Sequence, residues 1–215
     1  MTRSLALRAL ALSGLTGAAL LAHAQATLLP NQQINSIPQI SRTEAEFTRE
    51  ATASTPVIGR DADGNTTFTG TFSTVVYRKN GRLVFFYTFT NDATSTDAVE
   101  RISLSSFAGF DTAVETGLTN GQVLASTASR SMNGNVVSFG YAPGSAYGSI
   151  MPGTSSRYVN VYTNATTYKI GSAQFLSSGV ATVPTFVPLS SAVPEPASIA
   201  AIGIGVAALL RRRRR

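Results

Sequence analysis

The chain has 215 residues, with no cysteine, one histidine, and 17 lysines and arginines against 11 aspartates and glutamates, for a formal net charge of +6. The missing cysteines exclude disulfides and thiol chemistry. The single histidine, His23, lies in a segment read below as a removable leader, so the mature chain has no Ser-His-Asp or Cys-His site and no ordinary zinc or copper site.

The N-terminus carries Arg3 and Arg8, an apolar run from Ala9 to Ala22, and the exit Ala22-His23-Ala24-Gln25-Ala26. This is the pattern of a secretory signal peptide, residues 1–26, a helical leader with two overlapping A-x-A options for signal peptidase, after Ala24 or after Ala26. Between it and the C-terminal segments, residues 27 to 194 balance ten basic side chains with ten acidic ones. The pI near 10.1 therefore belongs to the terminal segments, and no nucleic-acid partner is expected.

Residues 27–55 mix Gln, Asn, Pro and Ser and are expected to form a weakly structured N-terminal arm, with two helical turns in the charged stretch Arg42 to Glu50. From residue 56 the chain turns rich in Thr, Ser, Val, Phe, Tyr and Gly, with apolar residues at alternate positions, the signature of strands. Asn80-Gly81 sits between Phe72–Lys79 and Arg82–Thr90 and predicts a two-residue type I′ hairpin, because both turn positions need positive φ. Leu83, Phe85, Tyr87 and Phe89 alternate with Val84 and Phe86, so the second strand of this hairpin is expected to be central and covered on both faces.

Further strands are expected at 100–107, 124–131, 135–141, 156–163, 168–175 and 180–187, with turns at Asn120-Gly121 and Asn133-Gly134. Pro184 places the last of them at an edge. Short strands at intervals of about ten residues predict an all-β body over residues 56–187, an antiparallel β-sandwich with a jelly-roll-like barrel as the alternative.

Candidate ligand sites in this body are sparse. Asp61-Ala62-Asp63-Gly64-Asn65 has alternate oxygen donors of the kind calcium prefers, but its spacing departs from the EF-hand and a plain turn is the better reading. Asp92, Asp97, Glu100, Asp111 and Glu115 are the carboxylates available for a glycosidase pair. Tyr141, Tyr147, Tyr158 and Tyr162 are candidates for a sugar-stacking platform, weighed against ordinary half-buried strand positions. Asn65 and Asn164 begin N-x-[ST] sequons. No catalytic residue, metal site or cofactor is expected.

Residues 188–196 read as a linker that ends in Pro194-Glu195-Pro196, whose prolines stop a helix from extending back toward the body. Ala197 to Leu210 follows, apolar and spanning roughly 21 Å as a helix, and Arg211, Arg212, Arg213, Arg214 and Arg215 end the chain. Five arginines after an apolar run act as a stop-transfer signal that stays in the cytoplasm, so residues 197–215 are expected to form a short transmembrane anchor with a basic tail.

Tripeptide, apolar segment and basic cluster, in this order at the terminus, resemble the PEP-CTERM sorting signal of Gram-negative exported proteins. The resemblance implies recognition by an exosortase, a membrane-embedded relative of cysteine transpeptidases, and removal of the tail near Pro194, Glu195 and Pro196. Over Gly70 to Asp111 the chain also looks like the β-rich bodies of many PEP-CTERM proteins. The expected function is that of a non-enzymatic cell-surface or matrix protein, held at the inner membrane as a precursor. The alternative is an adhesive module that recognises exopolysaccharide.

Overall fold

The computed structural model describes residues 25–40, 46–117, 123–141 and 148–189. The expected signal helix, sorting tripeptide, transmembrane anchor and Asn120-Gly121 turn lie outside the described residues. The described chain is all-β and contains no helix, as the alternating pattern predicts. Its strands are β1 (Ala26–Thr27), β2 (Gln33–Ile34), β3 (Gln39–Ile40), β4 (Thr48–Arg60), β5 (Thr66–Lys79), β6 (Arg82–Asn91), β7 (Arg101–Leu104), β8 (Thr112–Gly117), β9 (Thr127–Arg130), β10 (Val137–Gly140), β11 (Val159–Thr163), β12 (Thr167–Leu176) and β13 (Val180–Leu189).

Hydrogen bonding runs through a single sheet in the order β1-β8-β11-β6-β5-β4-β13-β12-β7-β10-β9-β2, with β3 joined in parallel to β8 and every other pair antiparallel. The sheet is curled. Phe72 on β5 and Phe175 on β12 stand three strands apart along it, which on a flat surface is about 14 Å, yet their ring centroids are 5.0 Å apart. The half from β1 to β4 therefore faces the half from β13 to β2 across one core.

The β5–β6 hairpin builds the centre of that core. Asn80 and Gly81 take φ of 52° and 77°, the turn expected of this pair. Phe68, Phe72 and Val76 from β5 point inward with Leu83, Phe85, Tyr87 and Phe89 from β6, all seven essentially unexposed. The outer face of β6 is covered as well: Val84 is 2% exposed, and Phe86 packs at 5.4 Å against Phe47 and at 4.8 Å against Tyr77.

Two expectations are corrected. Residues 27–55 do not form a weakly structured arm where they are described: they supply β2, β3, part of β1 and the first eight residues of β4, and Leu28, Ile37 and Ile40 are buried. Thr48–Glu50, placed in helical turns by composition, belong to β4. The reason is pairing, since β4 runs alongside β5 for nearly its whole length and a polar segment on a strand edge needs no apolar pattern of its own.

The joint between β4 and β13 is a seam, made by the single pair Val180↔Arg60. Continuing that register would set Pro184 directly opposite Pro56. Each proline keeps its place in the ladder on its other side, Pro56 against Thr71 and Pro184 against Ser172, so both turn the position of the missing N–H toward the seam. β13 itself lies inside the sheet, between β4 and β12, so the edge position expected from Pro184 is met only in the thinness of this seam. At the opposite extremity β1 and β2 end the sheet, and the chain runs directly from one to the other through residues 28–32.

Candidate functional site

Of the residues expected to carry function, Pro194, Glu195, Pro196, Arg211, Arg212, Arg213, Arg214, Arg215 and Ala24 lie outside the described residues. Ala26 is the first residue of β1, partly buried against the core and paired with Val114.

The body's candidate sites resolve into turns and tethers. The Asp61 carboxylate accepts from the backbone of Asp63 at 3.0 Å and Asn65 at 2.8 Å, and from the Asn65 amide at 3.1 Å. The Asn65 amide, ahead of the backbone donors, holds Asp61 below its ordinary pKa, which is the chemistry of a turn. No cluster of three or more metal-ligating side chains occurs among the described residues.

Asp92 accepts from the Thr69 hydroxyl at 2.6 Å. Asp97 accepts from Ser178, and from Ser177 at 2.9 Å. Asp111 accepts from the Asn164 amide at 3.0 Å, so the nitrogen of that sequon is engaged. Glu115 is fully buried on the outer side of β8, where it accepts from Tyr162 at 2.5 Å and Asn160 at 3.2 Å. These carboxylates are spread over both ends and one face of the sheet.

The three described tyrosines do not gather either. Tyr141 is buried in the core, where desolvation raises its pKa, while Tyr158 packs on Phe86 and Tyr162 is bound to Glu115 on the outer face. Tyr147 lies outside the described residues. An aromatic cluster that pattern reading missed, Phe47, Tyr77, Phe86 and Tyr158, is set at interplanar angles of 54° to 77°, so its rings pack on one another. Its signal, aromatics at outward positions of β5 and β6, is visible in sequence once the strands are paired.

The most developed feature is the end of the body where β13 finishes. A cavity of about 900 Å³ opens there, lined by Leu28, Lys79, Arg82, Asp111, Arg130 and Tyr162 among others. The Asn80-Gly81 turn, the β11–β12 turn and the strand end at Leu189 meet at this end: Leu83 N–H donates to Ala165 O at 2.9 Å, the Arg78 guanidinium reaches Thr166 O, and Thr167 pairs with Leu189. Arg130 lines this cavity. Its guanidinium donates to four backbone carbonyls: Gly134 at 2.9 Å, Leu28 at 3.1 Å, Phe107 at 2.8 Å and Phe110 at 2.8 Å. Burial lowers the Arg130 pKa and the nearby Asp111 charge opposes that shift. The arginine thus rivets the loop between β1 and β2 to the loop after β7, a role no motif announces.

A family model described as the PEP-CTERM protein-sorting motif matches residues 192–215, beginning three positions after the end of β13. The chain therefore carries this motif at its C-terminus. No curated protein and no solved structure matches the chain.

Proposed function

We propose, from the PEP-CTERM sorting motif as premise, that this chain is an exported cell-surface or matrix protein without catalysis, anchored by its C-terminus until an exosortase cuts it near Pro194 to Pro196. The motif is that of exported, exosortase-sorted proteins held in a membrane before processing. The observation that carries the reading is the boundary: folded strand ends at Leu189 and the motif match starts at residue 192, so the tripeptide follows the body directly. The body itself is read as a β-sandwich whose layers are the two halves of the curled sheet, serving as a structural or interacting module. Polysaccharide recognition gains no support from the placement of Tyr141, Tyr158 and Tyr162.

Mass spectrometry of the mature protein tests the reading. The expected form ends near Pro194 to Pro196, and Glu195→Ala accumulates as an uncut membrane precursor. Surface material that retains the arginine tail overturns it.

A further inference from the structure

The neutral body is not uniformly neutral. The strand order sorts its charges to opposite ends. Arg49, Arg78, Lys79, Arg82, Arg130 and Lys169 lie at the end where β13 finishes, against Glu46, Glu50 and Asp111. Asp61, Asp63, Asp92, Asp97 and Glu100 lie at the far end, around the Val180↔Arg60 pair, against Arg60, Arg101 and Arg157. The exit end is therefore basic and the far end acidic, a separation that cancels in any whole-chain count.

Pairing sharpens the contrast. Glu50 is held by Arg78 at 2.7 Å and Glu46 by Lys79 at 2.6 Å, whereas Arg82 and Lys169 are exposed and have no ion-pair partner among the described residues. Both ends expose large apolar side chains, Ile58, Met151 and Val180 at the far end and Leu29 (59% exposed), Met132 (79%), Ile170 (61%) and Leu189 (38%) at this one, so the charge is what sets the two apart. Exposed apolar groups interleaved with free cations form the combination that settles at the boundary of an anionic bilayer, where the stems are buried and the charges meet headgroups.

The connectivity supplies the partner. Seven residues separate Leu189 from Ala197, where the apolar segment starts, and fully extended they reach at most roughly 25 Å. An anchored precursor therefore holds this end, and not the acidic one, next to the lipid. We propose that the exit end of the body docks on an anionic lipid surface while the chain is anchored, with Arg82 and Lys169 on headgroups, Ile170 and Leu189 at the interface, and the acidic end turned outward. This rests on the reading of residues 197–215 as an anchor.

The test uses the full chain, which has no cysteine, so that Ile170→Cys and Ala62→Cys each give one fluorophore, at the exit and far ends. The labelled chains are reconstituted in phosphatidylglycerol-containing or phosphatidylcholine vesicles that carry a headgroup quencher. In anionic vesicles the label at position 170 is quenched and that at 62 is not, and the difference disappears in phosphatidylcholine or in about 1 M salt, where screening acts over about 3 Å. Lys169→Ala and Arg82→Ala each lower the docked-to-free ratio about five-fold, the equivalent of one cation at such a surface. Vesicle-bound chain with equal quenching at 62 and 170, or quenching indifferent to lipid charge, overturns the docking and leaves the anchor reading intact. Chain that does not float with vesicles overturns the anchor reading, and the docking with it.

Discussion

The hydroxyls of Thr74 and Thr185 share a 2.8 Å hydrogen bond inside the core, 111 residues apart in sequence, tying β5 to β13 across the seam where backbone pairing stops. Tyr87 does related work nearby, donating from β6 to the Phe186 carbonyl at 2.7 Å, and desolvation raises its pKa well above the ordinary value. Side chains here replace the hydrogen bonds that a continuous ladder between β4 and β13 would supply.

A single Thr74→Val or Thr185→Val substitution strands one buried hydroxyl and is expected to cost about 1–2 kcal/mol, while the double variant costs little more than either alone. Urea denaturation of the three variants measures this coupling. Additive losses would show that the bond contributes nothing specific.

Prolines keep the seam open. Pro184→Thr restores an N–H on the side of β13 that meets β4 only at Val180, and strand sides without a ladder partner pair with other chains. The expected outcome is concentration-dependent association with the fold retained, read by light scattering beside circular dichroism.

Arg130→Met leaves four inward carbonyls without their donor and is expected to destabilise the body by at least about 3 kcal/mol. Arg130→Lys recovers less than half of that, because an ammonium cannot reproduce the fork that spans the carbonyls of Leu28, Phe107, Phe110 and Gly134. Denaturant midpoints of both variants check the order.

Asp97 is held below the usual carboxylate range chiefly by the Ser178 hydroxyl, with Ser177 assisting against desolvation. A pKa lower in the folded than in the unfolded state stabilises fully above the unfolded value, and that stabilisation is lost as pH falls below the ordinary aspartate value of about 4 and through the lower native one. Asp97→Asn should flatten this acid limb of the stability profile. An unchanged limb would assign it to other carboxylates.

Legibility in the sequence followed how local each signal is. The β5–β6 hairpin was readable because Asn80-Gly81 and the Leu83-Phe85-Tyr87-Phe89 alternation lie within a dozen residues. β4 was not, since Thr48–Pro56 has no apolar alternation and becomes strand only by lying against β5. β8 was missed because Glu115 interrupts its pattern, and Asn160 and Tyr162, which help accommodate the acid, arrive from β11. Among site residues, Asp61 read correctly as a turn, whereas the tyrosines were grouped by residue type and the sheet put Tyr141 on the opposite face from Tyr158 and Tyr162.

The sorting motif, the absence of cysteine and the all-β class were all present in linear order, because each rests on adjacent residues, on composition or on a period of two. The seam between two prolines, the Arg130 rivet and the separation of basic and acidic ends came only with the fold. They depend on distances between residues tens to hundreds of positions apart, and those distances exist only once the sheet has curled around its core.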